Sequence, residues 1–463
     1  MDVLENLVAT VSDFLWTYLL SILLIFTGLF LTIRLKFFQF RFFGHILSQT
    51  IGQIFKKNKH KGSITPFQAF TSALASTAGA TNIVGVPVAI ALGGPGALFW
   101  MWIVALIGMA TKYAEIALGL KYREKNKEGE WVGGPQYYIK KALGWDKVAF
   151  LFAFFLMLEV IPSSMVQSNS IATQVEGAFG WPTWLSGIII TIFIALIVFG
   201  GIKRIGKVTD KLVPFMVISY LLAALAVILA HADQLPHVFG LIFTHAFTPI
   251  SAAGGFAGAG IAQALRWGIA RGLYSNEAGV GTAPIAHAAA QTDHPSKQAI
   301  WGIVSVFVDT VVICSVSGIA VLVTGAWQDV GVKDASNMIT VAFADLFGNN
   351  FAGSFIAIFL LFFVLTTLGV LLFYGEKQVE YLFGLKVAKV MRIVYIVSVF
   401  VGAIGGLQFV WQFLDLVLAF VVLANIFPLI FLNKEVKEIT EDYIERIYKE
   451  KHGEPAVRLF SDK

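Results

Sequence analysis

Small polar side chains interrupt a long apolar stretch at residues 66–92, and they are the residues best suited to bind a small ligand. The interruption centres on Gly79. The hydroxyl and amide side chains around it are Ser72, Ser76, Thr77, Thr81 and Asn82. A simple hydrophobic anchor would not carry them, and glycine with small polar neighbours permits an unwound stretch inside a membrane. Unwinding frees backbone N–H groups, and these predict a site for the carboxylate of a small molecule.

A second interruption lies at residues 251–260, where glycine occupies four of the seven positions from 254 to 260. Carbonyl groups freed there would meet an ammonium group. We therefore predict that Phe256 and Gly258 lie beside the ligand. Phe256 either gates or lines the pocket, or it packs there without contacting the ligand. For either interruption taken alone, close packing of helices through small residues is an equally good explanation.

Composition places both interruptions in a membrane. The chain has 463 residues, of which 57% are hydrophobic and 14% charged, and its mean hydropathy is +0.76. A soluble globular protein would have about a quarter of its residues charged, so that class is excluded. The single cysteine, Cys314, excludes an intramolecular disulfide. The long apolar runs do not alternate, which favours helices over strands and predicts an all-α polytopic membrane protein.

Eleven apolar runs are long enough to span a bilayer, since a spanning helix needs roughly 20 residues. They are 13–33, 66–92, 96–121, 147–176, 183–201, 209–231, 251–273, 298–326, 351–375, 390–407 and 411–432. Of the 34 Lys and Arg residues, all except Lys112 and Lys333 lie on or near alternate connections. The positive-inside rule then predicts that the N-terminus lies outside and the C-terminus in the cytoplasm. We expect the cell membrane of a prokaryote as the location. The net charge of +5 reflects this topology, so no nucleic-acid partner is expected. No basic segment precedes the first run, so we expect no cleaved signal peptide.

The two interruptions stand at matching positions in two blocks of five spans, residues 66–231 and 251–432. Because five is an odd number, the blocks have opposite orientations in the membrane. Paired interruptions in inverted halves are typical of a transporter binding site at the midplane, and they suit alternating access better than a continuous channel. An extra helix at residues 1–33 precedes the blocks, and residues 433–463 are predicted to form a cytoplasmic tail.

Residues 34–65 are too polar to span the bilayer. Leu35, Phe38, Phe42 and Ile46 recur at helical spacing beside basic residues. This pattern predicts an amphipathic helix on the inner membrane surface, with a plain basic loop as the alternative.

Three segments of the chain resemble one protein family. They are Thr-Asn-Ile-Val-Gly-Val-Pro at 81–87, Gly-Gly-Pro-Gly-Ala-Leu-Phe-Trp-Met-Trp-Ile-Val-Ala-Leu-Ile-Gly at 93–108, and Arg-Gly-Leu-Tyr-Ser-Asn-Glu-Ala-Gly-Val-Gly-Thr-Ala-Pro-Ile-Ala-His-Ala-Ala-Ala at 271–290. The chain resembles the sodium:alanine symporter family, also called the alanine or glycine:cation symporters, from about residue 10 to 435. The resemblance implies sodium-coupled uptake of alanine or glycine. It also implies the fold of the amino acid/polyamine/organocation superfamily, like that of the bacterial leucine transporter. That fold is a 5+5 inverted repeat whose first and sixth core helices are discontinuous.

The predicted orientation makes the first interruption a carboxylate site. The first half of the broken helix enters from the cytoplasm, so the second half begins near mid-membrane with its positive dipole end exposed. The residues predicted to contact the substrate here are Thr77, Gly79, Ala80, Thr81 and Asn82. A basic clamp is the alternative, but the intramembrane basic residues Lys112, Arg266 and Arg271 lie toward the inner end.

The resemblance also implies a sodium site. In the related fold, one sodium ion lies between the broken first core helix and the eighth core helix, which corresponds here to residues 351–375. The implied ligands are the backbone carbonyls of Ala75, Ala78 and Phe363 and the hydroxyls of Thr366 and Thr367. Several oxygen ligands suit a hard cation. The alternative is that both hydroxyls bond back to the preceding helical turn.

Four polar residues share one face of the fourth span. Glu159, Ser163, Gln167 and Ser170 follow one another at spacings of four, four and three. Gln167 is predicted to contact the substrate, whereas Glu159 is a charge partner or a proton carrier. A hydrogen-bonded face between helices is the alternative.

Asp309, beside Ser305 and Thr310 in the eighth span, raises the same question as Glu159. The alternative function is therefore a proton-coupled amino-acid carrier that uses Glu159 or Asp309. Lys112 and Glu115 are spaced i,i+3, which predicts a local pair. We do not expect an enzyme, because the sequence has no His-Glu-x-x-His motif and its eight histidines show no metal-binding spacing.

Overall fold

The protein is almost entirely helical. The computed structural model describes residues 2–54, 62–248, 261–405 and 408–449. The α-helices are α1 (Asp2–Phe14), α2 (Ser21–Arg34), α3 (Phe38–Arg41), α4 (Phe43–Gln49), α5 (Pro66–Thr77), α6 (Val86–Gly93), α7 (Ala97–Lys121), α8 (Pro135–Leu143), α9 (Asp146–Phe179), α10 (Thr183–Val198), α11 (Gly201–Ala230), α12 (Leu235–Phe247), α13 (Ile261–Asn276), α14 (Ala283–His287), α15 (Pro295–Val306), α16 (Ser315–Val323), α17 (Ala326–Asp329), α18 (Met338–Phe347), α19 (Asn349–Phe383), α20 (Leu385–Ile404), α21 (Gln408–Phe431) and α22 (Asn433–Tyr443).

Shorter elements connect or extend these helices. The π-helical segments are Leu15–Leu20, Thr81–Gly85, Phe307–Cys314 and Ile444–Lys449, and the 3₁₀ turns are Ile51–Gln53, Ala232–Gln234 and Val332–Asn337. Two short strands, β1 (Glu124–Lys125) and β2 (Trp131–Val132), pair in antiparallel fashion with Glu124 opposite Val132.

Eight helices in the described part of the chain are long and apolar enough to cross a membrane. They are Leu7–Arg34, Ala97–Lys121, Asp146–Phe179, Gly201–Ala230, Pro295–Val323, Asn349–Phe383, Leu385–Ile404 and Val410–Phe431. The chain is therefore an integral membrane protein. The other predicted spans fall on α10, on α13 and on the bent pair formed by α5 and the helix at Thr81–Gly93. The total of eleven spans and the inverted repeat stay predictions.

The predicted interruption at Gly79 is confirmed, because α5 and the helix at Thr81–Gly93 meet at a bend of 48°. At its start, α5 has a capping box in which Gln68 N–H donates to the Thr65 hydroxyl and Thr65 N–H donates to the Gln68 side chain. The helix ends where Ala78 adopts an extended backbone (φ −73°, ψ 95°). The second interruption, which contains Phe256 and Gly258, lies outside the described residues.

The broken helix lies inside the bundle. α5 packs against α11 and α19, while α9 packs against α19, α20 and α21. Large apolar side chains face outward elsewhere, as on α11, where Phe215, Leu222 and Leu229 are 57–69% exposed. Such exposure suits lipid tails, which surround the outer surface of a membrane protein.

The sequence predicts one continuous amphipathic helix after the first span, but the structure has two short helices there. Residues 38–49 form two short helices, α3 and α4, which meet at Phe42. Leu35, Phe38 and Ile46 are buried against the bundle, and the Phe38 ring centroid lies 5.1 Å from that of Tyr113. The apolar face therefore packs on protein, and the cytoplasmic location of this segment stays a prediction.

Candidate functional site

A small buried cavity lies where the broken helix meets α9, α13 and α19. Its volume is about 60 Å³, which holds a few water-sized groups and excludes a large ligand in this conformation. Five predicted substrate residues line it together: Thr77, Gly79, Ala80, Thr81 and Gln167. The tertiary fold thus joins the first interruption to the polar face of α9, which lies about 90 residues away in the sequence.

Asn82 lies behind the cavity wall and is fully buried. Its Oδ1 accepts the N–H of Gly79 (2.9 Å), and its Nδ2 donates to Oδ1 of Asp309 (2.8 Å). Nδ2 also lies 3.1 Å from the Ser275 hydroxyl. The side chain therefore ties the broken helix to α13 and to the π-helical segment Phe307–Cys314. Asn82 is not among the residues that line the cavity, and its contact with a substrate stays a prediction.

Asp309 accepts hydrogen bonds from several side chains within the described structure. The Ser275 hydroxyl donates to Oδ2 at 2.7 Å and the Thr310 hydroxyl donates to the same oxygen at 2.8 Å. Asn82 donates to Oδ1, so both oxygens of this fully buried carboxyl group accept hydrogen bonds. Asp309 does not line the cavity, whereas Glu159 does.

Gly79 brings the broken helix close to α19. A Cβ atom at this position would lie 3.3 Å from the Thr367 hydroxyl oxygen, closer than most Cβ atoms approach a neighbour. Because Gly79 has no side chain, its backbone can approach the Thr367 hydroxyl and still leave the cavity open.

The predicted sodium ligands fall into two groups. The Thr367 hydroxyl lies 2.7 Å from the carbonyl oxygen of Ala75 and 2.8 Å from that of Phe363, so it bridges α5 and α19. A single hydroxyl proton is shared between two carbonyl oxygens, so this group of three oxygens has more lone pairs than donors. Thr366 bonds within its own helix, 3.0 Å from the Phe362 carbonyl and 2.8 Å from that of Phe363. Ala78 lies at the break, where its extended backbone releases its carbonyl from the helix.

Two carboxyl groups, Glu159 and Glu277, face the cavity, and no Lys or Arg lines it in the described part of the chain. Glu277 has a left-handed backbone (φ 52°) directly after α13. Its Oε2 accepts from the hydroxyls of Thr282 (2.6 Å) and Ser76 (3.4 Å), which connects α13 to α5. The sequence interpretation missed Glu277, although it stands inside the family-like segment at 271–290, directly after a predicted span.

Lys112 and Glu115 interact electrostatically, as the predicted local pair requires, but their hydrogen bonds run to other helices. Lys112 Nζ donates to the Asn276 carbonyl (2.9 Å), and Glu115 Oε1 accepts from Nδ2 of Asn425 (2.7 Å). Both side chains therefore link α7 to neighbouring helices, and packing between helices determines their partners.

Comparisons with known proteins place this chain among transporters. The sequence matches the model of the sodium:alanine symporter family over residues 1–457. It is 48% identical over 437 residues to the uncharacterized transporter YflA of Bacillus subtilis, covering 94% of this chain and 92% of that protein. It is 40% identical over 449 residues to the sodium/alanine symporter AgcS of Methanococcus maripaludis, covering 95% and 97%. The probable sodium/glutamine symporter GlnT of Bacillus subtilis is 37% identical, with coverage of 96% and 91%.

Solved structures support the fold. The structure of MhsT in complex with L-phenylalanine matches with a TM-score of 0.59 at 13% identity, covering 83% of this chain and 90% of that one. The Eremococcus coleocola manganese transporter matches with a TM-score of 0.52 at 13% identity, covering 84% and 88%. The helical arrangement is therefore shared with these transporters.

Proposed function

Because the chain belongs to the sodium:alanine symporter family, we propose that it is a secondary active transporter that carries small neutral amino acids, alanine and glycine, into the cell together with sodium. The family and the relatives compared above are transporters. Transport proceeds by alternating access around the broken helix, with the N-terminus outside the cell and the C-terminus in the cytoplasm.

The observation that carries the proposal is the cavity beside Gly79. Backbone freed at the break, the Gln167 side chain and the Thr367 hydroxyl meet at one buried site of small volume. Helix starts are favourable positions for a carboxylate, since their N–H groups point outward and the dipole is positive there. We therefore propose that the substrate carboxylate binds at residues 79–82.

The opposite charge of the substrate has its own partners. An amino acid at neutral pH carries an ammonium group, and a buried cation is costly unless it is paired. Glu159 and Glu277 place two carboxyl groups at the cavity wall, and we propose that the ammonium group pairs with one of them in its ionised form. We propose the carbonyl groups of the second interruption, which contains Phe256 and Gly258, as further partners of the ammonium group.

Sodium is assigned to the oxygens between α5 and α19. Thr367 lies between the Ala75 and Phe363 carbonyls, and this cluster adjoins the cavity through Gly79. A cation bound there stabilises the arrangement of the two helices that substrate binding also needs. Thr366 and the Ala78 carbonyl join the ligand set when the ion displaces the hydrogen bonds within the helix.

The available free energy is sufficient for uptake. One cation that moves inward at 100 mV releases about 2.3 kcal/mol, and a tenfold sodium gradient adds about 1.4 kcal/mol. Together these support roughly 500-fold accumulation of a neutral amino acid.

The test is uptake of labelled alanine and glycine into proteoliposomes with an imposed inward sodium gradient. We expect uptake to stop when choline replaces sodium. We also expect unlabelled alanine and glycine to compete with the labelled substrate. Glutamine and D-alanine in the same competition panel define the width of the specificity. Uptake that persists without sodium overturns the proposed coupling.

The proton-coupled alternative is favoured by one observation, the position of Glu159 in the cavity wall. The variant that carries both Glu159→Gln and Asp309→Asn decides between the two. Unchanged sodium-dependent uptake by this variant eliminates proton coupling through these groups. Uptake driven by a proton gradient alone in the wild type, and lost in the variant, would establish it.

A further inference from the structure

A basic groove has two walls. One wall is the end of α2 and the segment that follows it, and the other is the C-terminal helix α22. Its volume is about 580 Å³. The charged side chains that line it are the basic Arg34, Lys36, Arg41, Lys437 and Lys449 and the acidic Glu441 and Glu445. Five basic groups against two acidic ones leave an excess of three positive charges.

Three of the basic groups lack a carboxylate partner among the described residues. Lys437 and Lys449 pair with Glu441 (3.5 Å) and Glu445 (2.7 Å) on their own helical segment. Arg34 donates through Nε to the neutral Asn433 side chain (2.9 Å). Arg41 donates to the backbone carbonyl of Lys36 (3.4 Å), and the Lys36 side chain has no ion pair in the described structure.

The groove lies at the depth of lipid head groups. Two spans end beside it, Leu7–Arg34 and Val410–Phe431. Their last apolar side chains are outward-facing, with Ile33 62% and Phe431 61% exposed. Because the groove begins where both apolar spans end, this depth holds for either orientation of the protein in the membrane.

The backbone at the groove is strained. Lys36 (φ 54°) and Phe37 (φ 58°) are consecutive non-glycine residues in the left-handed region, which bulky residues rarely adopt. Strain of this kind concentrates at binding sites. The turn leaves Lys36 at the groove, while Phe37 and Phe40 are 49% and 42% exposed beside it, in positions suited to contact acyl chains.

We propose that this groove binds the phosphate head group of an anionic phospholipid. Arg34, Lys36 and Arg41 hold the phosphate. A guanidinium group donates two parallel hydrogen bonds to two phosphate oxygens, and the lysine ammonium adds a positive charge. Basic pockets beside membrane helices bind such head groups by the same chemistry. The bound lipid joins α2 to α22 and so stabilises the packing of the C-terminal segment on the bundle.

The test is a lipid titration of the detergent-solubilised full chain, with thermal unfolding as the readout. Short-chain phosphatidylglycerol should raise the unfolding temperature saturably, and phosphatidylcholine should not. The variant Lys36→Gln with Arg41→Gln should bind phosphatidylglycerol about 30-fold more weakly, and Lys36→Gln alone about fivefold. The matched control, Lys203→Gln with Lys207→Gln, removes two exposed charges from α11 and should bind within twofold of the wild type.

Each other result overturns the proposal. Equal losses in the groove and control variants would show a general charge effect. Equal stabilisation by phosphatidylcholine would remove the need for an anionic head group. Stabilisation by inorganic phosphate that matches phosphatidylglycerol would identify a free anion as the occupant. If the double variant does not fold, Lys36→Gln decides alone, because Lys36 has no ion pair in the described structure to lose.

Discussion

The side-chain amide of Asn82 donates to Oδ1 of Asp309 across 2.8 Å, while its oxygen accepts the N–H of Gly79. One buried side chain therefore connects the break in the first core helix to a carboxyl group 227 residues further along the chain. The break is therefore held by hydrogen bonds on both sides of Gly79, because the Asn82 N–H also donates to the Gly79 carbonyl (3.2 Å).

Replacing Asn82 with alanine should lower sodium-driven uptake at least about tenfold. The change removes the donor to Asp309 and the acceptor of the Gly79 N–H, and a hydrogen bond to a charged group contributes about 1.5–3 kcal/mol. Initial rates in proteoliposomes measure the effect. Asn169→Ala is the control, because Asn169 also links helices, through the Gly402 and Gly405 carbonyls, without lining the cavity. Wild-type uptake by Asn82→Ala contradicts the role assigned to this network.

Thr367→Val should raise the sodium concentration for half-maximal uptake about tenfold or more, because it removes the hydroxyl between the Ala75 and Phe363 carbonyls. Thr366→Val should weaken sodium dependence as well. Thr324→Val is the control, since the Thr324 hydroxyl bonds back to Ala320 outside the site. A sodium titration of alanine uptake compares the three. If Thr366→Val and Thr367→Val both behave like the control, the sodium site lies elsewhere.

Gly79→Val should abolish detectable alanine binding while the protein still folds in the membrane. The new side chain would begin 3.3 Å from the Thr367 hydroxyl and extend into a cavity of about 60 Å³. Equilibrium binding of labelled alanine to the purified protein is the measurement. Gly353→Val, where an added Cβ meets nothing within 4 Å, should bind alanine normally. Undiminished affinity in Gly79→Val is incompatible with amide recognition at the break.

Glu277→Gln should weaken alanine binding about tenfold with little loss of stability. Glutamine keeps an oxygen to accept the Thr282 and Ser76 hydroxyls, so the change removes only the ability of this side chain to ionise beside the cavity. A charged hydrogen bond is worth about 1–2 kcal/mol more than a neutral one. The apparent KM for alanine at saturating sodium reports the effect. Glu445→Gln, at the distant basic groove, should leave KM unchanged.

His294 should make the protein less stable as the pH falls below about 6.5. Burial lowers the pKa of His294, despite its contact with Asp442 (3.0 Å), and Nδ1 accepts the N–H of Ser296 in the neutral ring. The unfolded chain then binds a proton at a higher pH than the folded chain. The contribution of His294 to the free energy of unfolding is therefore fully present above the pKa of this histidine in the unfolded chain. It is lost as the pH falls toward the pKa of His294 in the folded protein.

Thermal unfolding between pH 5 and 8 measures this contribution. His294→Asn should flatten the decline below pH 6.5 relative to the wild type. His237→Asn changes an exposed histidine and should leave the profile unaltered. If the unfolding temperature of His294→Asn falls with decreasing pH as steeply as that of the wild type, other groups cause the loss of stability.

Apolar run lengths and glycine spacing predicted the helical membrane class and the break at Gly79, because a bilayer imposes length and composition locally. The family-like segments predicted the leucine-transporter fold. Local spacing also predicted that Glu159, Ser163 and Gln167 share one helix face, and all three line the cavity. Contact of Gln167 with a substrate stays a prediction. None of these predictions depended on how the helices pack against each other.

Contacts between distant helices were decided by the tertiary structure. Asn82 and Asp309 were both singled out in the sequence, but nothing local shows that they bond. Thr366 and Thr367 are neighbours, and only the rotation of α19 against α5 makes Thr367 the residue that reaches Ala75. Glu277 enters the cavity through a left-handed backbone at the end of α13. A helical repeat fixes which residues share a face, whereas the packing of helices fixes what that face meets.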